Sequence, residues 1–293
     1  MSYEFYIGVM DEESVLVECG PMHLVIRAWN GDQPQITLSR RAAEKSIAYL
    51  EVISNCRPLL SRPWPQITDL PENELARRMV ASVKAVGDQD LTPMAAVAGT
   101  IADAVADWLF EKDVTRVIVD NGGDISIRLL EDQTVSVGIR PQIASPQVSH
   151  VLILDAGRNA YGVTTSGMGG RSFTKGIASA VSVLAATASQ ADAASTAIAN
   201  ACMVEDDRIV QIAAETMDAH SDLAGTLITA DVGRLDPEKT SRAMESALEK
   251  AEYLSRSKTV IGAFVALEGQ FAYTDGLKPY IFAVSGTAGS IHC

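Results

Sequence analysis

Along the first third of the chain the apolar positions recur mostly every three or four residues, the spacing of one helical face. A strand is expected at about residues 23–29, followed by helices at about 39–53 and 71–86, the second with Leu75, Met79, Val83 and Val86 on one stripe. Between them, residues 57–66 hold Pro58, Pro63 and Pro65, which predicts a loop and a subdomain joint. The next helix has the sharpest limits: Thr92 can cap its amino end and Pro93 suits its first position. Met94, Val97, Ala98, Ile101, Val105, Trp108 and Leu109 form its apolar face, which Asp103 and Asp107 leave together. Gly99 costs about 1 kcal/mol relative to alanine inside a helix, so its presence implies close approach by another helix or by a ligand.

Beyond that helix the period becomes two, with strands expected at 116–120, 125–130, 134–139, 150–154 and 161–165. Their short connections predict antiparallel hairpins between sequential neighbours. A strand near 178–186 leads to helices at about 191–203, 207–217 and 236–254, the last opened by Asp236-Pro237. Strands 259–267 and 271–273 face each other across Glu268-Gly269-Gln270. The class is α+β, a largely antiparallel mixed sheet flanked by helices.

Composition narrows the function. A chain of 293 residues hides roughly 75% of its unfolded surface, enough for a core without staples. Length alone suggests two domains, at about 150 residues each. A net charge of −13 excludes a general nucleic-acid or anionic-membrane binder. A phosphate ligand would therefore need backbone N–H groups, a metal ion or a few local cations. Cys19, Cys56, Cys202 and Cys293 form no C-x-x-C pair and read as reduced thiols. Residues 1–11 carry Glu4 and Asp11 and no signal-peptide pattern, and the Ala-rich run 176–191 falls short of the ~18 to 20 apolar residues of a spanning helix. The expected location is the cytoplasm.

Three glycine- and hydroxyl-rich loops could carry chemistry. Asp120-Asn121-Gly122-Gly123-Asp124 offers backbone without Cβ atoms and acids that can order a cation or a ribose hydroxyl, and it reads equally well as a hairpin turn. Thr164-Thr165-Ser166-Gly167, followed by Met168-Gly169-Gly170-Arg171, suits a phosphate or a flavin edge, with Arg171 and Lys175 adding charge; a solvated loop explains it as well. At Ala191-Asp192-Ala193-Ala194-Ser195-Thr196, Asp192 and Thr196 share a helical face and are hard donors suited to Mg²⁺. Locally, Ser189 and Asp192 also form a capping box, with Thr196 able to bond back to the Asp192 carbonyl. His23, His150, His220 and His292 make no metal pair, and hydrolase-elbow, P-loop and Rossmann patterns are absent.

The order of these motifs resembles the ApbE-like flavin transferase superfamily, over about residues 93–201. Gly99 and Asp103, Gly122-Gly123-Asp124, Thr165-Ser166-Gly167, and Ala191-Asp192 with Thr196 match its helix, G-G-D, T-S-G and A-D-A-x-x-T elements. The resemblance implies one ApbE-like domain over 1–293, with 1–66 as its amino-terminal strand and helix portion. It implies Asp192 and Thr196 as Mg²⁺ ligands, completed by a backbone carbonyl near 97–99. It places Gly99, Asp103, Gly122, Gly123, Asp124, Thr165, Ser166 and Gly167 at a site for FAD or FMN, and an acceptor protein as partner in the active branch. The family's H-x-x-x-P-x-x-G segment is missing: Arg171 to Gly176 holds neither histidine nor proline, and Ala98 stands where a lysine often precedes the helix glycine. The chain thus looks most similar to the prokaryotic branch with a shortened central segment, whose activity the resemblance does not supply. Arg171 and Lys175, with Asp192, are the candidate catalytic groups, the two cations as a replacement anion clamp. The alternative is a non-catalytic flavin-binding or structural module, and the Ala-rich stretch around 178–201 would suit a homo-oligomer.

Overall fold

Strong β-propensity at the period-two segments builds strands, and two compact units form around them in a computed structural model that describes residues 3–130, 132–219, 221, 223 and 225–284. The first unit comprises Met1–Val135, Leu154–Thr164 and Ala185–Ala193; the second comprises Ser136–Ile153, Thr165–Leu184 and Ala194–Cys293. The chain runs β1 (Phe5–Val9), β2 (Val15–Cys19), β3 (Met22–Asn30), β4 (Gln33–Pro34), α1 (Ile36–Leu60), α2 (Glu74–Val86) and α3 (Val97–Phe110). Strands β5 (Arg116–Asn121), β6 (Asp124–Leu129), β7 (Thr134–Ile139), β8 (His150–Asp155), β9 (Ala160–Ser166) and β10 (Ala180–Ala185) follow. The remainder is α4 (Ala188–Ala201), β11 (Ile209–Ala213), α5 (Ala214–Met217), β12 (Leu227–Val232), α6 (Pro237–Arg256), β13 (Gly262–Leu267), β14 (Gln270–Tyr273) and β15 (Ile281–Ala283).

In the first unit the strands run in the order β1-β2-β3-β5-β6-β9, with antiparallel pairing throughout. Alternation puts Leu24, Ile26, Ala28, Val117, Val119, Ile127 and Leu129 inside. Helix α3 lies on β5 and β6, and α1 lies on β2, β3 and α3. Burying Ile101, Val105 and Leu109 of α3 contributes roughly 1.5–3 kcal/mol per side chain. The stretch Pro93–Phe110 is long and apolar enough to cross a membrane by composition, yet 61% of it is buried inside the protein, as befits a core helix.

In the second unit β13 pairs with β10 and β14, β8 lies between β15 and β7, and β11 pairs with β12. His150 sits among aromatic rings, its centroid 5.3 Å from Phe264 and 4.8 Å from Phe271, with Ser149 Oγ 2.9 Å from Nδ1.

Four expectations change. Helix α1 continues through Pro58 to Leu60, because a proline in the last turn deletes a single helical hydrogen bond. Strand β6 pairs with β9 instead of β7, so sequential neighbours do not all form hairpins. Residues 207–217 form β11 and the single turn α5, since Ile209, Val210 and Ile212 are β-branched and find β12 as a partner. Thr92 makes no side-chain cap; Pro93–Ala96 is a 3-10 turn that precedes α3. Cys19, Cys56 and Cys202 are free thiols, while Cys293, His220 and His292 lie outside the described residues.

Burial holds the His150 imidazole below its usual value of 6.5. The unfolded chain then takes up the proton more readily, so the stability tied to a neutral His150 is present above about pH 6.5 and is lost as pH falls toward the depressed folded value. Urea midpoints should drop from pH 7.5 to 5.5 in the wild type, and this drop should shrink in His150→Phe; an equal drop in both contradicts the assignment.

Candidate functional site

Every α-helix begins with N–H groups that have no partner within the helix, and two helix starts meet in the first unit. Neither is capped by the residues the sequence suggests. Ala96 precedes α3 without a side-chain cap. Instead Asp192 reaches across from α4: its Oδ2 accepts the Gly99 N–H at 2.9 Å, and the Ala98 N–H also bonds to this carboxylate. The start of α4 is held in return by Asp103 of α3, whose Oδ1 accepts from Ala188 N at 3.0 Å and whose Oδ2 accepts from Ser189 N at 2.9 Å. Thr187 supplies the local cap, its Oγ1 accepting from Gln190 N at 3.2 Å. The expected Ser189–Asp192 capping box is thus replaced by two crossed caps.

Such crossing requires the two backbones to touch. A Cβ on Gly99 would strike the carbonyl of Ala188, and one on Gly162 of β9 would strike Thr187 and Ala188. Both glycines are there because only a residue without a side chain permits this approach.

Asp103 is completely buried and fully engaged. Besides the two α4 amides it accepts from Ser126 Oγ at 2.7 Å and from Arg128 Nη2 at 3.3 Å. Arg128, itself 5% exposed, donates through Nε and Nη2 to Asp107 Oδ1 at 3.0 and 2.7 Å and through Nη1 to Ser126 Oγ at 2.9 Å. Asp107 also accepts from Arg78 Nη1 at 3.0 Å. Asp103 and Asp107 therefore leave the apolar stripe to meet a buried arginine. Sequence reasoning misses Ser126, Arg128 and Thr187 and takes Asn121 only as part of the Asp120–Asp124 loop; an arginine inside the apolar run Ile125–Leu130, with Asp103 and Asp107 one turn apart on the preceding helix, is the available signal.

Burial pushes the Asp192 carboxyl up to about 7; the Gly99 and Ala98 N–H groups oppose this, and the Asp103 charge adds to it. Gly122 and Gly123 are the two-residue turn between β5 and β6, both at positive φ (67° and 107°), and Asp120 Oδ1 accepts from Gly123 N at 2.8 Å. Asp124 opens β6 opposite Asn121, whose Nδ2 donates to the Ala98 carbonyl at 3.2 Å. The G-G-D hairpin is thereby tied to the amino end of α3.

The remaining candidates belong to the second unit, Thr196 among them, one turn after Asp192 on α4. Thr165 Oγ1 lies 2.8 Å from Ser182 Oγ, Ser166 is buried, and Gly167 (φ 144°) lies against Ala178 and Ala180. Met168 N donates to the Ala178 carbonyl at 2.8 Å. Arg171 is exposed. Lys175 is anchored by its backbone, donating to Asn200 Oδ1 at 3.0 Å and accepting from Gln211 Nε2 and Thr229 Oγ1 at 3.0 and 2.9 Å. Within the first unit Gly99, Asp103 and Asp192 are brought together directly, and the Gly122–Asp124 turn is joined to them through Asn121. Among the described residues no group of three or more His, Cys, Asp or Glu side chains comes together.

Gly99→Ala tests the helix contact. Alanine is the better helix former by about 1 kcal/mol, but its Cβ would press on the Ala188 carbonyl at an overpacking cost of up to about 3 kcal/mol, so a net loss of up to about 2 kcal/mol is expected in urea unfolding. A variant as stable as wild type would contradict the contact.

UPF0280 proteins of Methanococcus maripaludis and Methanosarcina acetivorans are 39% identical over 112 residues and 38% identical over 149 residues. These stretches cover 38% and 48% of this chain and 45% and 56% of the relatives, so the chain spans about half the length of the curated relatives it matches. The apo flavinyl transferase ApbE of Pseudomonas stutzeri is 14% identical, covering 94% of this chain and 96% of its own, with a TM-score of 0.45. The ApbE protein of Thermotoga maritima is 11% identical, covering 95% and 99%, with a TM-score of 0.46. The family model described as AbpE bacteria matches residues 8–273, and the chain belongs to that family.

Proposed function

We propose that the protein binds a flavin nucleotide, FAD or FMN, with Mg²⁺ held at Asp192 and Thr196. The observation that carries this reading is membership of the AbpE family across residues 8–273. The donor chemistry fits a hard cation: a carboxylate and, one turn later, a hydroxyl, with backbone carbonyls near the α3 start. Asp192 Oδ2 already accepts from Gly99, so the ion would draw on the remaining acceptor capacity of the carboxylate. When bound, Mg²⁺ would neutralise a pyrophosphate and polarise it toward attack. The glycines of the β5–β6 turn and of the Thr165-Ser166-Gly167 segment would let a nucleotide approach the backbone, and Arg171 and Lys175 would supply positive charge. In a protein of net charge −13, a bridging cation is the simplest way to seat a phosphate beside an aspartate. Turnover would break the bond between the FMN phosphate and AMP as an acceptor hydroxyl, or water, bonds to the FMN phosphorus and gives up its proton to solvent.

A second reading is favoured by one feature. Arg171–Gly176 holds no histidine or proline where the active transferases carry their histidine segment. A binder without transferase chemistry would keep FAD intact. Reduced thiols at Cys19, Cys56 and Cys202 support a cytoplasmic location for either form.

Calorimetry with FAD and FMN, with and without Mg²⁺, tests the binding claim; uptake of neither nucleotide under either condition rejects it. Asp192→Asn keeps an acceptor for Gly99 N–H while removing the anion, so it should abolish the Mg²⁺ dependence and leave the protein folded. Asp192→Ala is the poorer variant, because it also uncaps α3. Retained Mg²⁺ dependence in Asp192→Asn contradicts the metal assignment, and release of AMP from FAD separates the transferring form from the binder.

A further inference from the structure

The crossed caps place Asp192 at the end of a chain of charged groups that passes through the buried Arg128 and Asp103. Arg128 is the buried cation: it pairs with Asp103 at 3.3 Å and with Asp107 at 2.7 Å, and Asp107 is pinned from the outside by Arg78. Asp103 holds Ala188 N and Ser189 N, the first amides of α4, and Asp192 projects from the next turn of that helix onto Gly99 and Ala98. Asp103 is fully buried, and Arg128 is the cation that donates to it alongside Ser126 and the two α4 amides; removing one partner of a buried ion pair leaves the other uncompensated.

We infer that Arg128 is a positioning residue: by holding the Asp103 carboxylate through a charge-assisted hydrogen bond it fixes the amino end of α4, and so sets where Asp192 meets α3. This rests on the reading of Asp192 as a ligand-binding group, yet the positioning itself concerns contacts within the first unit. Arg128 touches no proposed ligand and acts through Asp103. A purely structural arginine on β6 would stabilise the strand and nothing beyond it.

Amide hydrogen exchange on the full chain separates these roles. In Arg128→Met the Ala188, Ser189, Ala98 and Gly99 amides should exchange faster than in wild type, by about tenfold or more beyond any change at Val117 and Val119 of β5, as expected for loss of a charge-assisted hydrogen bond. Arg128→Lys, which keeps the charge and loses the fork, should restore most of the protection. If Arg128→Met does not fold, Asp107→Asn loosens the outer support of Arg128 and should give the same pattern with smaller factors. Faster exchange confined to β5 and β6, with Ala98 and Gly99 unchanged, overturns the inference. Calorimetry with FAD and Mg²⁺ forms the second arm: affinity should fall in Arg128→Met and recover in Arg128→Lys. If the wild type takes up no FAD, the flavin reading fails on its own while the exchange pattern still decides the positioning role.

Discussion

Two helix amino ends cannot be brought together inside a protein unless their orphan N–H groups find acceptors, and here each helix supplies the acceptor for the other. Asp103 of α3 takes the first amides of α4, and Asp192 of α4 takes those of α3. Negative charge is favoured at both places by the helix dipoles as well as by the hydrogen bonds. The arrangement dictates its surroundings: glycines at 99 and 162 so that the backbones can touch, Ser126 and Arg128 on β6 to satisfy Asp103, and Asn121 to bind the turn between β5 and β6 to the Ala98 carbonyl.

The same arrangement explains why Asp192 differs from an ordinary surface carboxylate. Buried near a second aspartate, it is pushed up to about 7 even though two amides favour its anion. Asp103 accepts from an arginine, a hydroxyl and two amides. Two aspartates one helix apart thus take different parts, one sealed into the core and one at the end of its helix where a cation could compete for it.

Much of this was legible in residue patterns. The strands at 116–121, 124–129 and 134–139 follow from period two, α2 from its apolar stripe, and α6 from the Asp236-Pro237 start. Gly99 announced a close approach, and the structure shows what approaches. What the sequence could not convey was which acid serves which helix. Ser189 and Asp192 have capping-box spacing, yet the bond that forms spans 93 residues, because the close approach of Gly99 to Ala188 brings the Gly99 N–H within reach of the Asp192 carboxylate. Residues 207–217 read locally as a helix, whereas 209–213 pair with β12, a partner farther along the chain that local spacing does not reveal. The Gly122-Gly123 pair forms the tight turn that its sequence allows, and Asn121 fastens that turn to the α3 start.

The crossed caps are the central claim, and trans-hydrogen-bond scalar couplings measure them directly. In a deuterated, carbon- and nitrogen-labelled sample, the Gly99 amide nitrogen should correlate with the Asp192 side-chain carboxyl carbon, and the Ser189 amide nitrogen with that of Asp103. Correlations of Gly99 and Ser189 with acceptors in their own helices, in place of the opposite aspartates, would contradict the account.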